Sequence, residues 1–226
     1  MNNPVEEVPL RFQTQQRVEY KNIFDPLYGP FTWELSTDLQ DFVPKREDGI
    51  MTRSPKRDFA ALKHSIETTG IARLPNLFTA PQCKLMSEYY HANSHKHGNT
   101  RSQDGIDRSA MHNVQYYRHL HELLGPFVNR FLPIAVKPSY TFASEYHKGS
   151  GLFKHVDSRP ACTWNISLMV DASDVTKASQ WPLFVESCGA VHSAHLNIGD
   201  AVLYSGTGSP HWRDPMPSDL DWVFGL

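Results

Sequence analysis

The chain has 226 residues, of which 40% are hydrophobic and 20% are charged, and its formal net charge at pH 7 is −2. A chain of this length buries roughly 70% of its unfolded surface in one core, so we expect one main domain with extensions. The balanced charge argues against tight binding to a phosphate backbone, which many Lys and Arg contacts would drive, so nucleic acid is an unlikely partner.

Membrane insertion is also not expected. No stretch approaches the roughly 18 apolar residues that a membrane span requires, and residues 1–12 are acidic and polar without an apolar segment. We therefore expect a cytoplasmic protein with no membrane partner. The cysteines Cys83, Cys162 and Cys188 lie far apart without CxxC spacing, which predicts reduced thiols in the core rather than disulfides or a thiolate zinc site.

The N-terminal part of the chain differs from the rest. Residues 1–54 carry five prolines and little sustained periodicity, so they are predicted to form an extended or partly disordered arm. Residues 55–226 are predicted to form a single domain, with helical support over 55–135 and a β core over 138–226. The first helix is expected to begin after Ser54 as N-cap and to end at Gly70, and Ile71–Leu74 is predicted to be a short strand.

A second helix is predicted to start at Thr79. Thr79 and Gln82 have the spacing of a capping box, and Pro81 suits the first turn. The polar, glycine-containing stretch 95–109 is predicted to be a loop. A third amphipathic helix is expected from about 117 to 131.

From residue 139 onward the pattern changes to short β-like runs separated by Gly, Pro, Asp and Ser. The eight predicted strands cover residues 139–146, 152–156, 163–170, 182–186, 191–198, 201–204, 211–213 and 222–224. Short strands that follow a helical half predict a mainly β fold with supporting helices (α+β), as in a jelly roll or β-helical barrel supported on one side by helices.

The candidate chemistry lies in this β half. His155 and Asp157 are two residues apart in a predicted strand, so both side chains point to one face. With twelve histidines and fourteen aspartates, roughly 0.7 His-x-Asp tripeptides are expected by chance, so the tripeptide alone is a weak signal. A turn at Gly199-Asp200, an apolar strand and a loop then bring His211 forward as a third ligand. Two histidines and one carboxylate leave open metal positions, as in iron(II) oxygenases; the alternative is two ordinary hydrogen-bonded histidines.

A longer pattern surrounds these residues. Tyr146, Gly149 and Leu152 precede His155 at three-residue intervals, and the run Gly-Asp-Ala-Val-Leu-Tyr at 199–204 leads towards the distal histidine. The pattern resembles the 2-oxoglutarate/iron(II) dioxygenase superfamily over residues 71–226. The nearest likeness is to its prolyl-hydroxylase-like bacterial members.

The resemblance implies a fold and an activity. The fold would be a double-stranded β-helix, a cupin-like jelly roll with the N-terminal helices packed on one sheet. His155, Asp157 and His211 would hold Fe(II), and 2-oxoglutarate and O₂ would be consumed to hydroxylate an unactivated C–H bond. Tyr146 matches the family tyrosine that hydrogen-bonds 2-oxoglutarate, and strand parity places Tyr140 on the same face.

The distal carboxylate of 2-oxoglutarate needs a cation, ideally an arginine. Most members of the superfamily place it about ten residues after the distal histidine, where this chain has Asp221. Arg213, two positions after His211, would share the inward face of a strand and is the first candidate. Arg159, two positions after Asp157, is the second.

Several functions remain open at this point. The first is hydroxylation of a small molecule, such as an amino acid or a biosynthetic intermediate, because size and charge balance suit a buried pocket. A second is hydroxylation of a protein side chain. A third is a cupin-like metal-binding module, or a degenerate paralogue without oxygenase activity, which the missing late arginine favours. The oligomeric state is unknown from the sequence.

Overall fold

The computed structural model describes residues 57–95 and 106–226, together with the strands β1 (Arg17–Glu19), β2 (Thr32–Leu35) and β3 (Phe42–Lys45). The chain divides into two units, Met1–Arg53 and Ser54–Leu226. In the first unit the three strands form one antiparallel sheet in the order β1-β2-β3. These strands were not predicted from the sequence, and the division of the chain into an arm over 1–54 and one domain over 55–226 stays a prediction.

The described residues of the second unit form four α-helices: α1 (Phe59–Thr69), α2 (Ala80–Asn93), α3 (Gln115–Val128) and the short α4 (Val175–Ser179). Helix α2 begins as predicted. The Thr79 hydroxyl accepts a hydrogen bond from the Gln82 backbone N–H, and the Gln82 side chain accepts one from the Thr79 N–H at 2.6 Å. This capping box satisfies backbone donors that the first turn leaves without an intrahelical partner.

Helix α1 begins later than predicted. Its N-cap is Asp58, whose carboxylate accepts from the Ala61 backbone N–H at 3.0 Å, whereas Ser54 lies outside the described residues. The helix ends at Gly70 as predicted, with φ at +72°, and a Cβ there would collide with Ser187. Glycine at this position therefore lets the chain turn sharply from α1 into the first strand of the second unit.

Over residues 57–95 and 106–226 the second unit has ten strands: β4 (Ile71–Leu74), β5 (Arg108–His112), β6 (Phe142–His147), β7 (Leu152–His155), β8 (Asn165–Ala172), β9 (Leu183–Ser187), β10 (Ala190–Ala194), β11 (Ala201–Tyr204), β12 (His211–Arg213) and β13 (Trp222–Gly225). All eight segments predicted after residue 139 are strands, although their ends shift by up to four residues. Strand β5 is a correction, because the loop predicted over 95–109 ends in an edge strand.

The strands form two antiparallel sheets. One has six strands in the order β4-β11-β8-β13-β6-β5, and the other has four in the order β10-β9-β12-β7. The buried core cluster contains Val202 and Val223 from the first sheet and Leu183 and Val185 from the second. The two sheets therefore share one hydrophobic core, as the faces of a jelly roll do.

Helix α2 packs on the six-stranded sheet, and α3 packs against α2. The ring of Tyr90 in α2 lies 4.4 Å from that of Phe224, which is fully buried in β13. Tyr117 of α3 donates to the Met86 carbonyl of α2 at 2.8 Å. Helical support on one sheet was predicted, and α2 provides it, while residues of α3 line the same cleft as residues of both sheets.

Two further expectations concern membranes and cysteines. Among the described residues, no helix has both the length and the apolar character to cross a bilayer. Cys83, Cys162 and Cys188 are free thiols. Cys188 is exposed and adopts a φ of +50°, so the prediction that it packs in the core is wrong.

Candidate metal centre

Two neighbouring strands of the four-stranded sheet bring two histidines face to face. His155 ends β7 and His211 begins β12, and the antiparallel register pairs them directly. Their ring centroids are 4.3 Å apart. His211 is 3% exposed, whereas His155 is partly open to solvent, so the pair spans from the core to the surface.

Asp157 joins the histidines from the segment that follows β7. Its backbone N–H donates to the Gly206 carbonyl at 2.9 Å, and its Oδ2 accepts from the Asn165 side chain at 2.6 Å. These two contacts leave Oδ1 free to face His155, whose Nε2 is 3.9 Å away. Asn165 and Gly206 thus orient the carboxylate, and the sequence analysis identified neither residue.

Both imidazoles are held in one tautomer. His155 Nδ1 lies 2.7 Å from the Phe153 carbonyl and His211 Nδ1 lies 3.0 Å from the Ser209 carbonyl. Because a carbonyl only accepts, each Nδ1 carries the proton and each Nε2 keeps its lone pair for a metal. Burial lowers the pKa of His211, so its imidazole favours the neutral form that ligation requires.

The three side chains fit a metal ion. One ligand atom from each residue lies within 4.8 Å of the others, and no other such His/Cys/Asp/Glu group of three or more occurs in the described part of the chain. Ligand atoms about 2.1 Å from one ion lie about 3 Å apart when adjacent, so the group must close by one to two ångströms. The partly exposed His155 has room for that movement. Two imidazoles and one carboxylate are the donor set of iron(II) sites with open positions.

The three residues line a cleft of about 910 Å³. Strand parity was predicted to place alternate residues of β6 on one face, and Phe142, Ser144 and Tyr146 all line this cleft, together with Tyr140 just before the strand. The charged residues among the described lining are Arg108, Lys137, Asp157, Arg159 and Arg213. Apart from the candidate metal ligand Asp157, every one is basic, although the whole chain is slightly acidic.

Arg213 lies in the wall of this cleft. Its guanidinium donates to the Trp181 carbonyl at 2.9 Å and lies 4.6 Å from the centre of the Trp181 ring. It forms no ion pair with any described residue, and burial lowers its pKa, although a guanidinium stays charged at neutral pH. A β-bulge separates Arg213 from His211. The two residues therefore do not share a face by regular strand alternation, as predicted, but both line the cleft.

Tyr146 is held by Arg108 and Trp181. Arg108 of β5 donates to the Tyr146 hydroxyl at 2.9 Å, and the register pairs the two residues directly across β5 and β6. The Tyr146 ring also packs edge-on against Trp181 at 5.4 Å. Arg108 is a further functional candidate that the sequence analysis missed. The alternation of Arg108, Ala110 and His112 was the available signal, but the polar stretch before it favoured a loop.

Arg159 and Tyr140 lie together at another part of the cleft. Arg159 is exposed, and its guanidinium carbon is 5.9 Å from the centre of the Tyr140 ring. The Tyr140 hydroxyl is 3.0 Å from the Cys162 sulfur, and burial together with that contact raises the pKa of Tyr140 to about 12. Tyr140 therefore stays a neutral phenol, and Arg159 keeps a free face for a ligand.

The chain is similar to known proteins in structure but not in sequence. No protein-family model matches the chain, and no curated protein matches its sequence. Solved structures do match. A prolyl-4-hydroxylase from Pseudomonas putida is similar over 74% of this chain and 97% of its own, with a TM-score of 0.60 and 12% identity. An oxidoreductase of the 2OG-Fe(II) oxygenase family from Burkholderia pseudomallei is similar over 77% and 90%, with a TM-score of 0.57 and 11% identity.

A third similar structure is HygX from Streptomyces hygroscopicus with nickel and 2-oxoglutarate bound, which covers 76% of this chain and 86% of its own at 9% identity and a TM-score of 0.55. At these identities the likeness establishes the fold. The double-stranded β-helix and the likeness to 2-oxoglutarate/iron(II) oxygenases, including the bacterial prolyl-hydroxylase type, are thereby confirmed.

Proposed function

We propose that this chain is an iron(II)- and 2-oxoglutarate-dependent oxygenase that hydroxylates a C–H bond of a small molecule. One observation carries the proposal: the His155, Asp157 and His211 group and the partly buried cation of Arg213 line the same cleft. The combination supplies a metal site and a counter-ion for a dicarboxylate in one cavity. The nickel and 2-oxoglutarate bound to the similarly folded HygX support this combination.

The three ligands have a defined task. His155 and His211 would present Nε2, and Asp157 would present Oδ1, because Asn165 and two backbone carbonyls engage the other polar atoms. Two imidazoles and one carboxylate would leave coordination positions open for 2-oxoglutarate and O₂. When bound, iron with 2-oxoglutarate and O₂ supplies the oxidation: carbon 1 of 2-oxoglutarate leaves as CO₂, one oxygen atom enters succinate and the other becomes the substrate hydroxyl.

Arg213 would hold the distal carboxylate of 2-oxoglutarate. Its guanidinium is rigidly placed by the Trp181 carbonyl and ring, and further donors remain for a two-pronged contact with a carboxylate. The desolvation that lowers the Arg213 pKa also makes an anion at this point more favourable, since Coulomb attraction strengthens where water is excluded. Tyr146, beside Arg213 and Arg108, is a second donor to the cosubstrate.

The walls near the metal would keep water out during the reaction. Leu183 and Leu203 are fully buried in the two sheets and line the cleft between them. The volume of about 910 Å³ suits a small molecule beside 2-oxoglutarate, because ligand pockets for such molecules measure roughly 300–1,000 Å³. A small-molecule substrate is therefore favoured over a protein side chain.

An anaerobic titration tests the proposal. Metal-free protein is titrated with iron(II) and then with 2-oxoglutarate, and the visible charge-transfer band of the chelate is followed. We expect a band in the wild type, no band in Asp157→Ala, and a band that requires at least about 100-fold more 2-oxoglutarate in Arg213→Met, because two charge-assisted hydrogen bonds are lost.

Two variants control for indirect effects. His195→Ala removes an exposed histidine that contacts the Ser179 carbonyl, and Arg118→Met removes an exposed arginine of α3. Both should give the wild-type band. Iron binding without a band at any 2-oxoglutarate concentration would reject the oxygenase and leave a metal-binding β-barrel.

A further inference from the structure

The cleft carries more positive charge than the proposed cosubstrate uses. The charges of the proposed complex cancel: iron(II) and the Arg213 guanidinium are positive, and the Asp157 carboxylate and the 2-oxoglutarate dianion carry an equal negative charge. Arg159 and Lys137 also line the cleft, and neither forms an ion pair with another described residue. A second ligand that enters this cleft therefore meets cations that have no anion beside them.

Arg159 is placed to meet such a ligand close to the metal. It follows Asp157 by two residues and immediately precedes the three-residue 3₁₀ helix Pro160–Cys162. This short helix turns the chain at the cleft. Its guanidinium lies beside Tyr140, whose ring is 5.0 Å from that of His112. The ring of Phe142 continues this wall, 6.3 Å from His112. A planar or apolar body can lie along the rings while its anionic end meets Arg159.

The same lining offers no free carboxylate side chain to an ammonium group. Among the described side chains that line the cleft, Asp157 is the single carboxylate, and its oxygens are directed to the candidate metal position and to Asn165. An α-amino acid bound through its carboxylate would hold its ammonium group close to the Arg159 guanidinium with no carboxylate side chain beside it, and like charges repel. The charge pattern thus separates acids from amino acids of the same shape.

We infer that the substrate of this site is a small carboxylic acid with a planar or apolar body and no α-ammonium group, whose carboxylate is bound by Arg159 beside Tyr140. The inference rests on the proposed oxygenase function and narrows its substrate class. It assigns Arg213 to the cosubstrate and Arg159 to the substrate, which separates the roles of the two arginines.

Binding without turnover tests this inference. The full chain, loaded anaerobically with iron(II) and 2-oxoglutarate, is titrated calorimetrically with three matched sets of probes: 3-phenylpropanoate, its primary amide and phenylalanine; indole-3-propanoate, its amide and tryptophan; and octanoate, its amide and 2-aminooctanoate. In the set that binds best, the acid should bind about tenfold more tightly than the amide and the amino acid, a moderate factor because Arg159 is exposed.

The variant Arg159→Gln should lose about tenfold in affinity for that acid and little for its amide, while Arg118→Gln should change neither. Equal binding of acids and amides in all three sets, including no measurable binding of either, overturns the inference. An acid preference that survives Arg159→Gln overturns the assignment of that residue. The charge-transfer band distinguishes the two possible failures. If the acids show no preference but the band forms normally, only the substrate inference has failed. If the band never forms, the proposed oxygenase function has failed.

Discussion

Gly206 offers the sharpest test of how the metal ligands are positioned. It lies in the loop between β11 and β12, accepts the Asp157 N–H at 2.9 Å and donates to the Thr163 carbonyl at 3.2 Å. A Cβ at this position would come within 2.5 Å of both Asp157 Oδ2 and Asn165 Nδ2, and would also meet the Cys162 carbonyl. Gly206→Ala therefore places a methyl group in the hydrogen bond that orients the carboxylate.

The size of the effect follows from these distances. Carbon and oxygen atoms are in ordinary contact at about 3.3 Å, so Asp157 must retreat by about 0.8 Å, several times the roughly 0.2 Å that a metal–ligand bond tolerates. Disturbing a group that orients a ligand weakens metal binding by about 10–100-fold, which is the loss we expect. The overpacking should also lower the free energy of unfolding by about 1–3 kcal/mol.

Gly208→Ala is the matched control. It lies in the same loop, and neither glycine has a positive φ, so backbone strain does not distinguish the two substitutions. The nearest atom to a Cβ at position 208 is the Ser205 hydroxyl oxygen at 2.9 Å, which can rotate away. We expect metal affinity within about twofold of the wild type for this variant.

The assay is calorimetric titration of metal-free protein with Mn(II) as a stable stand-in for iron(II), together with urea unfolding of each variant. If Gly206→Ala folds and binds Mn(II) as tightly as Gly208→Ala does, then the loop does not position Asp157 and the reasoning is refuted. A loss of metal affinity in both variants would show that the loop acts through general rigidity instead.

Three further predictions address other parts of the molecule. Asn165→Ala removes the donor to Asp157 and should weaken Mn(II) binding about tenfold in the same titration; unchanged affinity would contradict this. Phe224→Ala empties a fully buried site and should cost about 3–5 kcal/mol of unfolding free energy in urea, and a cost below about 1 kcal/mol would contradict it. Burial lowers the pKa of His121 below its usual 6.5, so the folded state binds fewer protons than the unfolded state. The contribution of His121 to stability is therefore complete above pH 6.5 and is lost as the pH falls through the folded pKa. His121→Gln should make that acid loss shallower in urea unfolding, and parallel profiles would contradict this.

The β half was predictable because its signals are local. Glycine, proline and polar residues separate the strands, and the His-x-Asp spacing identified His155 and Asp157 as a pair, although Asp157 lies just after β7 rather than in a strand. The turn before β11 was also predicted. Gly199 adopts a φ of +87°, and a Cβ there would collide with the Phe78 carbonyl, so this turn requires glycine. Periodicity and turn chemistry thus determine most of the architecture.

The contacts that were missed join residues far apart in sequence. Gly206 lies nearly fifty residues after Asp157, and no spacing rule links a loop glycine to the carboxylate that it positions. Arg108 belongs to an edge strand whose pairing partner β6 comes more than thirty residues later. The bulge after His211 is set by pairing with β7. Such features depend on tertiary pairing, which local patterns do not encode.

The hydrogen bonds from the two ligand histidines run to carbonyls of the main chain, at Phe153 and Ser209, each two residues earlier in sequence. Every amino acid has a backbone carbonyl, so the orientation of the imidazoles depends on the path of the backbone and not on which side chains stand at these positions. Alanine substitution at either position would leave the hydrogen-bond acceptor in place. Phe153, which is 75% exposed, can accordingly be exchanged for a polar residue while the orientation of the His155 imidazole is kept.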